Sequence, residues 1–160
     1  NQHSFLHFTK TKCQNILIKL LKKIMIKFHA ITDFEIADKS ILKKWIKKVV
    51  KQEGSVIAEL NFIFCDDEYL LEKNKTFLKH DTLTDIITFD YSQKNMLTGD
   101  VYISIERVKE NAQNYEVLFK NELHRVIIHG VLHMLGYKDK DEKHQKEMRE
   151  KEDFYLSLQT

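Results

Sequence analysis

Ser40–Cys65 reads SILKKWIKKVVKQEGSVIAELNFIFC, and the change of period inside it sets the fold class. Ile41, Leu42, Trp45, Ile46, Val49 and Val50 recur at helical spacing, with Lys43, Lys44, Lys47 and Lys48 opposite. That pattern predicts an amphipathic helix laid on a core. Ser40 is placed to cap its start and Gly54 to stop it. From Ser55 the period drops to two. Val56, Ala58, Leu60, Phe62 and Phe64 take every second position, as one buried face of a strand requires.

Working outward, Met25–Phe28 reads as a short strand on the N-terminal side. On the C-terminal side, Asp66 and Asp67 can cap a short helix carrying Tyr69, Leu70 and Leu71. Thr84–Phe89 is rich in β-branched residues and reads as a strand. Ser92–Asn95 is a polar loop, and Gly99–Ile105 is a further strand. Helices follow over Glu106–Tyr115, with Val108 and Ala112 facing in, over the very apolar Glu116–Met134, and over the charged Lys140–Leu158. Short strands interspersed with helices predict an α+β fold: a single domain with a small mixed β-sheet packed with helices.

The chain has 160 residues, which suits one core, and it shows no internal repeat or linker. The domain is expected over residues 25–160. Asn1–Ile24 has no clear period and is expected to be an N-terminal extension, such as translated upstream sequence. Ile16–Ile24 lacks a small-residue cleavage site and is too short to span a membrane. An apolar fraction of 42% with 31% charged residues excludes a disordered chain. Ten Phe and six Tyr make a dense core feasible, while turns must manage with four Gly and no Pro. Cys13 and Cys65 are far apart and have no partner cysteine at zinc-ligand spacing. They fit a reducing compartment, and Cys65 ends an apolar run as a buried thiol would. A cytoplasmic protein is expected. The net charge of +2 does not by itself establish a nucleic-acid partner. The distribution of charge is more telling: Lys39, Lys43, Lys44, Lys47, Lys48 and Lys51 follow Lys10, Lys12, Lys19, Lys22, Lys23 and Lys27. They make either a phosphate-binding face or a solvated helix surface.

The chemistry is concentrated in His129-Gly-Val-Leu-His133-Met-Leu-Gly136-Tyr-Lys-Asp139. Histidines four apart leave one face of a helix, so two imidazoles can meet one metal ion. The flanking Val126, Ile127, Ile128, Val131, Leu132, Met134 and Leu135 are apolar, and polar imidazoles in such a helix need partners. Gly136 can end the helix in a left-handed conformation. The chain then returns Asp139 as a third ligand at the end of a central helix. Three protein ligands leave a fourth zinc position for water or substrate, the layout of a catalytic site. His, His, Gly and a third ligand at first, fifth, eighth and eleventh positions also match the extended metzincin pattern. A peptidase, however, carries its general base directly after the first His, where this chain has Gly130.

The string from His129 to Asp139 resembles the signature of the YbeY endoribonuclease family of ribosomal-RNA maturation factors. Leu60–Asp67, Asp81–Phe89 and Gly99–Ser104 fall in that family's order and spacing, so the resemblance runs from about Met25 to Leu158. It implies a zinc-dependent hydrolase that cuts single-stranded RNA and matures the 3′ end of small-subunit ribosomal RNA. It further implies association with the small ribosomal subunit and with assembly factors such as the GTPase Era, and no membrane partner. His129, His133 and Asp139 are then both metal ligands and the catalytic set, holding one zinc ion per chain. The commonest family pattern has His where this chain has Asp139. A carboxylate is an acceptable zinc donor, but it makes the metal a weaker Lewis acid. Two His and one carboxylate also suit iron or another divalent transition metal. Many members have an Arg where Leu78 stands here. Lys79 and Arg125 are candidate substitutes for holding a phosphate.

Asp141 and His144 are alternative third ligands, and Asp139 is preferred on spacing. Asp85 is a candidate general base or orienting carboxylate outside the catalytic set, or a strand-start residue that satisfies local backbone amides. His124 should point away from the ligand face as a supporting or surface residue, and His80 and His144 should be solvated. The rival functions are a small metallopeptidase and a non-enzymatic ribosome-assembly factor with a metal site.

Overall fold

A computed structural model describes residues 24–78 and 81–159, and the period change at Gly54 is a true element boundary in it. The order is β1 (Met25–Ala30), α1 (Lys39–Gln52), β2 (Val56–Cys65) and α2 (Asp67–Lys73), which runs into a π-helical turn (Asn74–Leu78). Then come β3 (Ile86–Asp90), β4 (Met96–Ser104), α3 (Ile105–Asn114), α4 (Phe119–Met134) and α5 (Glu142–Ser157). The four strands lie in the order β1-β2-β4-β3. β2 pairs in parallel with β1 and β4, and β3 runs antiparallel to β4 at the edge. This is the mixed sheet of the expected α+β domain.

The main core forms where the inward strand residues Ile26, Leu60, Phe62, Phe64, Leu97, Val101 and Ile103 meet α1 and α4. The other face is covered at the β3–β4 end by α2, through a small cluster of Cys65, Leu70 and Ile87. Burial in that cluster pushes the Cys65 thiol up to about 12, so it is an inert packing residue as expected. Among the described residues no helix is long and apolar enough to cross a membrane.

Several local expectations are corrected. β2 carries a bulge at Ala58: Ile57 pairs with Leu97 but Glu59 pairs with Thr98. The extra residue shifts the alternation, so Ile57 is buried and Val56 is exposed. Ser40 does not cap α1. Asp38 holds that position in a left-handed conformation (φ 53°), and its carboxylate goes to Lys120 instead. Ile41 is exposed, because only Leu42, Trp45, Ile46, Val49 and Val50 face the core. α4 begins at Phe119, not Glu116, because Glu116 takes φ 53° in the turn that reverses the chain after α3. Asp66 caps α2 as expected, accepting from the Tyr69 amide at 2.8 Å. Asn1–Lys23, with the expected extension and Cys13, and also Lys79 and His80, lie outside the described residues.

Candidate metal centre

α4 is buried along most of its length and sets the positions of both histidines. It lies against the sheet at Gly130. A Cβ there would come within 2.8 Å of Ile86 Cδ1 and 2.9 Å of Val101 Cγ1, so the close helix–sheet approach admits only glycine without displacement. The helix ends in a Schellman motif: the Tyr137 amide donates to the Leu132 carbonyl and the Gly136 amide to the His133 carbonyl, with Gly136 at φ 99°. This cap turns the chain back and brings Asp139 over the two imidazoles.

The three donors converge. His129 Nε2 lies 3.0 Å from His133 Nε2, and Asp139 Oδ2 lies 3.6 Å from the first and 3.3 Å from the second. Tetrahedral zinc with bonds of about 2.0–2.1 Å sets its ligands about 3.3–3.4 Å apart, so this donor set fits such an ion. Each imidazole is also oriented from behind. His129 Nδ1 is 2.7 Å from Glu152 Oε1, and His133 Nδ1 is 3.0 Å from the Tyr137 carbonyl oxygen. With Nδ1–H donating to these acceptors, both Nε2 lone pairs face the common point.

Glu152 is one of two residues at the site that the sequence did not single out, Arg149 being the other. Only 4% exposed, it binds His129 through one oxygen, while the other takes Arg125 at 3.0 Å and Arg149 at 3.4 Å. Burial opposes its charge, yet the His129 and Arg125 hydrogen bonds hold its pKa below the ordinary value. At His129 burial likewise works against the charged form, but Glu152, Asp139 and Asp85 outweigh it and hold the imidazole pKa above the usual range. The signal for Glu152 lay in the pattern of α5, where it shares the buried stripe with Met148 and Tyr155 in an otherwise charged helix.

The remaining candidates separate clearly. Asp141 caps α5 and pairs with His144 at 2.5 Å, so neither reaches the donor cluster. Asp85 lines the cleft beside His129 and accepts from Asn111 at 3.1 Å; burial pushes its pKa up. Arg125 is committed to Glu152 and Asp153, at 3.0 and 2.7 Å. His124 is neither a surface residue nor a support for the donors: it is buried, with its ring beside Trp45 and its Nδ1 2.9 Å from Gln159 Oε1. Arg149 was not anticipated. It lines the depression holding His129 and Asp139 and also the two that adjoin it.

Two imidazoles and a carboxylate gathered at the end of a buried helix define an α+β protein with a three-donor group that could hold a metal ion. The chain belongs to the family described as Endoribonuclease YbeY, whose model matches residues 13–159. A Flavobacterium psychrophilum protein named Endoribonuclease YbeY is 52% identical over 134 residues, 84% of this chain and 96% of its own length. A Cytophaga hutchinsonii protein of the same name is 50% identical over 132 residues, 82% of this chain and 92% of its own. The solution structure of TM1509 from Thermotoga maritima superposes with a TM-score of 0.60 at 31% identity, over 83% of this chain and 87% of that one.

Proposed function

We propose that this chain is a zinc-dependent endoribonuclease that cuts single-stranded RNA and matures the 3′ end of small-subunit ribosomal RNA. The observation that carries the reading is the convergence of His129 Nε2, His133 Nε2 and Asp139 Oδ2 within 3.0–3.6 Å. Family membership and the relatives' name, Endoribonuclease YbeY, support RNA as the substrate. The imidazole-rich donor set favours zinc, with iron as the alternative for two His and one carboxylate. Zinc in such a site supplies Lewis acidity, polarising a phosphoryl oxygen and lowering the pKa of water to about 7.

The chain's own residues do the positioning. Glu152 and the Tyr137 carbonyl fix the tautomer and orientation of the two imidazoles. Arg149, with a half-exposed guanidinium at the junction of the cleft depressions, offers its fork to a substrate phosphate. In this reading the RNA is met on the small ribosomal subunit, alongside assembly factors such as the GTPase Era, in the cytoplasm. Residues 1–24 precede the catalytic domain, and a chain lacking them should fold and cleave unchanged. Loss of either property on that deletion would contradict the assignment.

The metallopeptidase alternative is disfavoured by Gly130, whose position faces the sheet and leaves no room for a glutamate. The test is incubation of the full chain with labelled precursor small-subunit RNA, with and without chelator, beside His133→Ala. Cleavage lost with chelator and in the variant is expected. A folded, zinc-loaded chain that leaves the RNA intact would refute the reading and favour a non-enzymatic assembly role.

A further inference from the structure

α1 contains six lysines and no acidic residue. Its inner side, Leu42, Trp45, Ile46, Val49 and Val50, is used up in the core. Lys44, Lys47, Lys48 and Lys51 are all exposed. At 3.6 residues per turn they fall in one stripe about 100° wide, opposite the buried side, and span about 10 Å along the helix. Lys39 at the N-terminal end pairs with Glu35 at 3.3 Å, but among the described residues none of the four stripe lysines makes an ion pair.

An ordinary charged helix is built differently. α5 interleaves both signs and pairs Lys146 with Glu150 and Arg149 with Glu152. On α1, Lys44 and Lys48, and Lys47 and Lys51, are like charges at i,i+4, a spacing that repels. The two carboxylates that border the stripe are engaged elsewhere. Asp38 is held by Lys120 at 3.0 Å, and Glu53 by Lys151 at 2.8 Å and the Tyr137 hydroxyl at 2.9 Å. The stripe therefore presents concentrated, uncompensated positive charge. Because its apolar side is buried, the helix has no free face to insert into a lipid headgroup region. A hydrated polyanion backbone is the partner that this surface complements.

We propose that the Lys44–Lys47–Lys48–Lys51 stripe is a second RNA-docking surface, which holds the phosphate backbone of the substrate outside the metal cleft. The inference rests on the endoribonuclease reading for the identity of its polyanion. Its location suits the role: the next residue group along the chain, at Glu53, bonds Tyr137, whose carbonyl in turn holds His133. The stripe thus ends beside the loop that completes the donor cluster. It grips by charge alone and adds affinity for long RNA without reading its sequence.

The test compares full-length His133→Ala with the same chain carrying Lys→Gln at 44, 47, 48 and 51, both binding a long single-stranded RNA across a salt series. The variant should bind at least about tenfold more weakly near physiological salt. Its slope of log affinity against log salt should be shallower by about 2–3, as expected for four lost contacts to a single strand. Lys→Arg at the same positions should keep both. Unchanged affinity and slope would overturn the proposal. So would stripe-dependent retention by anionic phosphatidylserine vesicles in place of RNA. Failure of the endoribonuclease reading is distinguishable: lysine-dependent RNA binding would persist while the unsubstituted, zinc-loaded chain cleaves no RNA.

Discussion

At the scale of single residues, the site depends as much on what stands behind the donors as on the donors themselves. Glu152 is buried and holds both His129 and two arginines. Its replacement by Gln removes the charge that fixes the imidazole, and the expected result is a 10- to 100-fold loss of zinc affinity in a competition titration. Unchanged affinity would show that Glu152 serves only the arginines. Gly130 carries a second prediction. Gly130→Ala pushes a methyl against Ile86 and the stiff side chain of Val101, and should cost about 1–3 kcal/mol in urea unfolding. A neutral substitution would mean that α4 can lift from the sheet. The convergence of His129, His133 and Asp139 was legible because helical spacing and a helix-ending glycine are local features. The period of α5 marks Glu152 as inward-facing beside Met148 and Tyr155, but its place at the site follows from how α5 packs on α4, which no local period reveals. The buried state of His124 was hidden for the same reason: its partners Trp45 and Gln159 are distant in sequence.

At the scale of elements, the turn between α1 and β2 is tied to the last helix through Glu53. Its carboxylate takes the hydroxyls of Tyr137 and Tyr155 and the ammonium of Lys151. Burial raises the pKa of Glu53, but these partners outweigh it and hold the pKa below 4.5. A carboxyl depressed in the folded state contributes stability that is fully present above its unfolded pKa and lost as pH falls through the folded one. Glu53→Gln should therefore cost about 1–3 kcal/mol at neutral pH, and its gap from the unsubstituted chain should close as pH falls below about 4.5. Urea unfolding at several pH values measures this, and an equal loss at pH 3 and pH 7 would contradict it. Element types followed well from period, because amphipathic helices and alternating strands each bury one face. Ends followed less well. The start of α1 at a left-handed Asp38, the late start of α4 after Glu116, and the Ala58 bulge are all set by backbone conformations that tertiary packing selects.

At the scale of the whole molecule, the fold class was legible but the strand order β1-β2-β4-β3 was not, because pairing between distant strands leaves no local signature. The core forms from the sheet, α1 and α4, joined by Val108 of α3 and by Met148 and Tyr155 of α5, with no contribution from the three candidate donors. Metal removal should then leave the circular dichroism spectrum intact and lower the melting temperature. At zinc a thousandfold above its dissociation constant the difference corresponds to about 4 kcal/mol. Collapse of the stripped chain would show that the metal is structural. The central claim joins the donor cluster to RNA cleavage, and one titration tests it most directly. Full-length chain stripped of metal is given zinc stepwise, and the single-turnover rate on labelled single-stranded RNA is followed. The rate should rise in proportion and saturate at one equivalent per chain. Undiminished cleavage by the stripped chain, or none at full one-to-one loading, would contradict the account.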